Sequence, residues 1–174
     1  MKNGIKEKQQ TGLRVVLDTN VYISALNFPD SPLADLVRHA KRGMYQLIIS
    51  PAIVNEVADV LRRFEWTEHD IRVRLKTITK SSEIVMPQTI PNVIKEDPDD
   101  NLILACALAG NANLIVSRDL DLLRLKQYEG IGIMSPINYA ARGLPGSAGR
   151  GIAALQSLSC DKIGKLDGTT WETR

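Results

Sequence analysis

A few carboxylates stand where a chain of alternating strands and helices could bring acids together. The run Leu13-Arg14-Val15-Val16-Leu17 stops at Asp18, and Leu114-Ile115-Val116 stops at Ser117-Arg118-Asp119. Asp100 falls at the opening of an apolar segment, and Glu56 lies about one turn into another helical pattern. Each has an ordinary reading. Asp18 and Asp119 suit turns or helix caps, Asp100 is favoured by the helix dipole, and Glu56 could simply face solvent. Asp97 reads as a cap and Asp99 as a surface acid. Asp121 could be a ligand, a cap or neither.

Taken jointly the acids say more, because Asp18, Asp100 and Asp119 fall at strand ends or helix starts on one sheet edge. Carboxylates about 5 Å apart repel by about 3 kcal/mol per pair at an effective dielectric near 20. Such a cluster costs a marginally stable domain dearly unless a cation binds or some acids stay protonated. Oxygen-only ligands select hard cations, namely Mg²⁺ or Mn²⁺, or Ca²⁺ in a larger cage. Metal-assisted phosphoryl chemistry, with an activated water and a neutralised phosphodiester, is what such a set could support.

The elements that must position these acids are legible. Val15 to Leu17 do not alternate with polar residues and read as a strand of a parallel sheet buried on both faces. Gln46–Ser50, Glu83–Met86, Leu114–Val116 and Ile131–Met134 read as further strands. Ser31-Pro32, Ser50-Pro51 and Ser135-Pro136 are cap-plus-proline helix starts. Thr67 and Asp70 resemble a capping box, and Asp97-Pro98 predicts another start, with an apolar helix body over Leu102–Leu108. The alternation predicts a three-layer α/β/α sandwich with a mostly parallel central sheet.

The chain has 174 residues and a formal net charge of +2, with a pI of about 8.6. One domain with a sizeable core is expected. The mild basicity permits nucleic-acid binding without arguing for it. The two cysteines, Cys106 and Cys160, sit in no metal-ligand spacing, and a reducing compartment fits them. No signal-peptide pattern or membrane-length apolar run is visible, so a cytoplasmic protein is expected. Residues 1–12 read as a polar leader, 13–142 as the domain, and 143–174 as a glycine-rich, mostly disordered tail with a short helix near Ile152–Leu158. The tail's glycines form no phosphate loop, since no strand precedes them and no Lys-Ser or Lys-Thr follows.

Other candidates carry less. His39 and His69 are expected on exposed helix faces, and Cys106 is expected in the core. Arg38, Lys41, Arg42, Arg62, Arg63, Arg72, Arg74 and Lys76 could contact phosphates or could be solvated helix faces.

The motifs Val15-Val16-Leu17-Asp18-Thr19-Asn20-Val21, Ile53-Val54-Asn55-Glu56-Val57, Asp100-Asn101-Leu102-Ile103-Leu104-Ala105-Cys106-Ala107 and Ile115-Val116-Ser117-Arg118-Asp119 resemble, in order, those of PIN-domain ribonucleases. The nearest resemblance is to the VapC-like toxins of bacterial type II toxin–antitoxin systems, over about Leu13 to Arg142. It implies a metal-dependent endoribonuclease with Asp18, Glu56, Asp100 and Asp119 as the acidic, metal-binding site and Asp121 as a supplementary ligand. It also implies Asn20 and Ser117 as polar supports, an antitoxin partner and a homodimer. Arg118 is the basic residue tied by sequence to the acids, and it could touch the RNA backbone or neutralise a neighbour. Ser117 stands where the family often has threonine.

Two other classes of protein share parts of this pattern. A catalytically weak PIN-fold module that binds RNA or protein would keep the fold, but the full set of acids speaks against a decayed site. A phosphatase or receiver-like α/β domain also carries acids at strand ends, but the lysine-bearing strand end it requires is missing.

Overall fold

The computed structural model describes residues 12–142. The expected tail, with its short helix and Cys160, and all of the leader except Gly12 lie outside the described residues. The first half of the domain comprises β1 (Arg14–Leu17), α1 (Thr19–Asn27), α2 (Pro32–Lys41), β2 (Gln46–Ile49), α3 (Pro51–Arg63), α4 (Glu68–Lys80) and β3 (Ser82–Ile84). The second half comprises α5 (Asp100–Ala109), β4 (Leu114–Val116), α6 (Leu120–Leu125), β5 (Gln127–Tyr128), β6 (Ile131–Met134) and α7 (Pro136–Ala141).

One six-stranded sheet runs β3-β2-β1-β4-β6-β5. Every pairing is parallel except β5 with β6. Val15 to Leu17, Leu47 to Ile49 and Leu114 to Val116 are all buried, as unalternating strands flanked by helices must be. The helices flank the sheet in an α/β architecture, and α5 lies against β1, β2 and β4. Gly110, at the end of α5, lets that helix come down on β2. A Cβ there would stand 2.3 Å from Ile48 Cγ2.

The helix starts follow from local chemistry. Ser31 Oγ accepts from the Ala34 N–H and Ser135 Oγ from the Asn138 N–H, each with a proline at the first helical position. Thr67 Oγ1 accepts from the Asp70 N–H at 3.1 Å. Ser50 also precedes a proline start, but its side chain makes no cap hydrogen bond.

The strand order places a switch point between β1 and β4. From β1 the chain winds outward through β2 and β3, and from β4 it winds the other way. Open α/β sheets bind ligands beyond the strand C-termini at such a point. Leu17 pairs with Val116, so Asp18 and Ser117 leave the sheet side by side.

Some expectations are corrected. The helix expected to start at Asp97-Pro98 starts at Asp100. The Asp100 and Asn101 N–H groups donate to the carbonyls of Asp97 and Pro98, three residues back, which closes a turn rather than a helix. Asp97 Oδ1 accepts from the Asp99 N–H, so this acid caps the turn. The third strand is Ser82–Ile84, shorter and earlier than Glu83–Met86, and β5 adds an unexpected antiparallel edge. His39 is half-buried rather than exposed, and its Nδ1 has no partner among the described residues. His69 is exposed and Cys106 is fully buried, as expected.

Candidate active site

β1 and β4 deliver the first two groups. Asp18 is 4% exposed, because its carboxylate sits in the crevice between strand ends rather than on the surface. The Ser117 hydroxyl, fully buried, donates to Asp18 Oδ2 at 2.6 Å. The same Oγ accepts from the Asp119 N–H at 2.8 Å. One serine therefore fixes both strand-end acids.

The stretch after β4 brings in the rest. Asp119 Oδ1 accepts from the Asp121 N–H at 2.7 Å, which starts α6. Asp121 in turn accepts from Arg124 Nη1 at 2.7 Å, one helical turn on. Asp100, on the first turn of α5, reaches the same place. Carboxylate oxygens of Asp100, Asp119 and Asp121 all lie within 4.8 Å of one another. Asp100 Oδ2 is buried without a hydrogen-bond partner.

Glu56 stands outside that tight trio, and its charge acts on Asp18. Its Oε2 accepts from the Thr19 hydroxyl at 2.7 Å, and its side chain is half-buried. Asn20 is exposed and makes no hydrogen bond to the acids among the described residues. Thr19, one residue earlier and buried, is the polar group that meets Glu56. Arg118 is half-buried between Ser117 and Asp119.

Two groups not singled out from sequence complete the surroundings. Asn101, 2% exposed, accepts from the N–H groups of Val93 and Ile94, both at 3.0 Å. It donates to the carbonyls of Ile94 at 2.7 Å and Pro98 at 3.1 Å. This amide straps the 93–98 segment, with Asp97 at its end, onto the first turn of α5. Arg124 is the other, as the ion-pair partner of Asp121. The signal for Asn101 was a lone amide opening an otherwise apolar helix; an i,i+3 acid–base pair was the signal for Arg124.

The electrostatics follow from this crowding. Burial pushes the Asp18 carboxyl up to about 6. The Ser117 hydrogen bond pulls it down, while Glu56 and Asp119 push it further up. Burial, the charges of Asp119, Asp18 and Asp97, and a hydrogen bond shared with Asp119 hold the Asp100 carboxyl well above the carboxylate range. Burial also raises Glu56, opposed by the Thr19 hydrogen bond and reinforced by Asp99 and Asp97. Such shifts come from carboxylates crowded together in a largely buried site.

An α/β sheet with buried acids converging on its switch point is the arrangement of the PIN domain. The chain belongs to the PIN-domain family, whose pattern it matches over residues 14–121. It is similar to the protein MJ1680 of Methanocaldococcus jannaschii, with 32% identity over 130 residues, 70% of this chain and 81% of that one. Its fold is similar to that of a chain in the crystal structure of VapBC2 from Rickettsia felis bound to a DNA fragment from their promoter. There the TM-score is 0.50 at 15% identity, with 71% of this chain and 98% of that chain covered. No helix among the described residues is long and apolar enough to cross a membrane.

Proposed function

We propose that this protein is a Mg²⁺- or Mn²⁺-dependent endoribonuclease, the toxin of a type II toxin–antitoxin pair. The observation that carries the reading is the Asp100–Asp119–Asp121 trio with Asp18 beside it. The donor set fits a hard divalent cation. It is all oxygen, it is compact, and it includes the buried, unpartnered Asp100 Oδ2. Asp18, Asp100, Asp119 and Asp121 would hold the ion, with Glu56 completing the acidic site. When bound, the cation supplies Lewis-acid polarisation of the phosphodiester and a lowered pKa for a coordinated water.

The chain's own residues do the rest. Ser117 holds Asp18 and Asp119 at fixed separation through one oxygen. Thr19 anchors one oxygen of Glu56 and leaves the other to accept a proton from the attacking water. The raised basicity of Glu56 suits that task at neutral pH. The water oxygen bonds to phosphorus as Glu56 takes its proton, the P–O3′ bond breaks, and the leaving oxygen takes up a proton from solvent. The products are a 3′-hydroxyl and a 5′-phosphate. RNA as substrate rests on the family, and a protein antitoxin rests on the similarity to VapBC2. A homodimer in the cytoplasm is part of the same reading.

The test is RNA cleavage by wild type and Asp18→Asn after chelation and add-back of Mn²⁺ or Mg²⁺. Cleavage should need the cation, yield 5′-phosphate ends and be abolished or strongly reduced in Asp18→Asn. Cleavage at the wild-type rate by that variant would remove these residues from the mechanism. RNA binding without any cleavage by wild type would make the protein a binding module.

A further inference from the structure

An acid cluster repels the polyanion it is meant to cut, so affinity for RNA has to come from another surface. On the ribonuclease reading, on which this inference rests, α4 offers such a surface. Ile71 and Ile78 are buried and Leu75 is partly buried against the core, so these three define the inward stripe of the helix. Arg72, Lys76 and Lys80 are exposed at successive four-residue steps away from it. Each step rises about 6 Å, comparable to the spacing of phosphates along a nucleic-acid strand.

The row is not neutralised in place. None of Arg72, Arg74, Lys76 and Lys80 makes an ion pair among the described residues. The two acids of α4 sit in its first turn, where Glu68 is ion-paired with Arg62 while also facing Arg72, and Asp70 accepts from the Thr67 hydroxyl. From residue 71 to residue 80 the helix carries no acid at all. On the other flank Arg74 stands close to Lys41 at the end of α2. Burial, then Arg74 and Arg38, hold the Lys41 ammonium below its usual pKa. Cations crowded with cations have no folding benefit to offer, and a bound polyanion would relieve them.

We propose that the exposed face of α4, centred on Arg72, Lys76 and Lys80 with Arg74 and Lys41 at its margin, is the docking surface for the phosphate backbone of single-stranded RNA. It contacts phosphates and not bases, so it contributes affinity and salt dependence but no sequence selectivity.

Fluorescence anisotropy of a labelled single-stranded RNA, with the full chain in excess chelator, separates this binding from cleavage. Titrations at several KCl concentrations compare wild type, Arg72→Gln/Lys76→Gln and the equally charged control Lys126→Gln/Arg142→Gln. The α4 variant should bind at least about fivefold more weakly. Its slope of log K against log salt should fall by about 1.4, near 0.7 for each single-strand phosphate that is no longer neutralised. The control should match wild type. Equal weakening in both variants, or none in the α4 variant, overturns the proposal while leaving the ribonuclease reading intact. Competition by polyglutamate as effective as unlabelled RNA would instead assign the face to an acidic protein. Wild type that binds no RNA overturns the RNA reading itself, and this surface with it.

Discussion

Ser117 donates its hydroxyl proton directly to Asp18 Oδ2 at 2.6 Å, across 99 positions of sequence. The bond exists because Leu17 and Val116 are in register, so the next residue of each strand enters the crevice beside the other. Both groups are buried, so neither can trade this bond for one to solvent. A buried polar group stripped of its partner costs about 1–3 kcal/mol. Ser117→Ala should therefore lower stability by about that much in chemical denaturation, and lower RNA cleavage more than binding. A variant as stable as wild type would show that the bond contributes nothing.

The acids also make stability pH-dependent in the absence of metal. The Asp18 carboxyl is raised to about 6, so the folded state holds its proton more tightly than the unfolded chain does. Its penalty on folding is absent below about pH 4 and grows as the pH rises toward 6. Above that it amounts to about 3 kcal/mol. Asp100 and Glu56, raised as well, act in the same direction. In chelator, the stability of Asp18→Asn relative to wild type should therefore rise across this window, as read by urea unfolding at a series of pH values. A pH-independent difference would mean that Asp18 is not destabilised by its surroundings.

Gly110 makes a purely steric prediction. A methyl group there meets Ile48 Cγ2 at 2.3 Å, in the middle of a central strand with no space to retreat. Gly110→Ala should cost about 1–3 kcal/mol through overpacking. Ile48→Val, which trims the side chain, should recover part of that loss in the double variant. Strict additivity of the two changes would argue against the clash.

Asn101 should matter through the segment it straps. Asn101→Leu preserves volume but removes four hydrogen bonds. Hydrogen exchange at Val93 and Ile94 should accelerate by at least tenfold, about 1.4 kcal/mol of local opening. The thermal shift produced by saturating Mn²⁺ should shrink, since Asp97 and the first turn of α5 lose their tether. Unchanged exchange at those two amides would deny the strap.

What the sequence disclosed follows from burial. β1, β2 and β4 are covered on both faces, so each reads as an unbroken apolar run. The serine–proline starts at Ser31, Ser50 and Ser135 work through local geometry alone. β3 escaped correct placement because Glu83 and Ile84 are exposed at a sheet edge and carry no run. β5 escaped because two residues hold it, through turns at Lys126 and Glu129 with positive φ. The nearness of Asp18, Asp100 and Asp119 was legible because strand ends and helix starts share one edge. The part of Thr19 was not, since only the packing of α1 against α3 shows which hydroxyl meets Glu56. The displaced start of α5 has a similar cause. Asp97 looks like a helix cap in sequence, and only the Asn101 strap turns it into a turn cap.

The pairing of β1 with β4 also has a temporal meaning. Asp18 leaves the ribosome before Ser117, Asp119 and Asp121, which follow about a hundred residues later, several seconds on at ordinary rates of synthesis. No contiguous fragment contains the acid trio together with Asp18 short of nearly the whole domain. A nascent chain interrupted before α6 therefore carries no assembled acid cluster. The cluster is complete only once the last strand-end acid has been made.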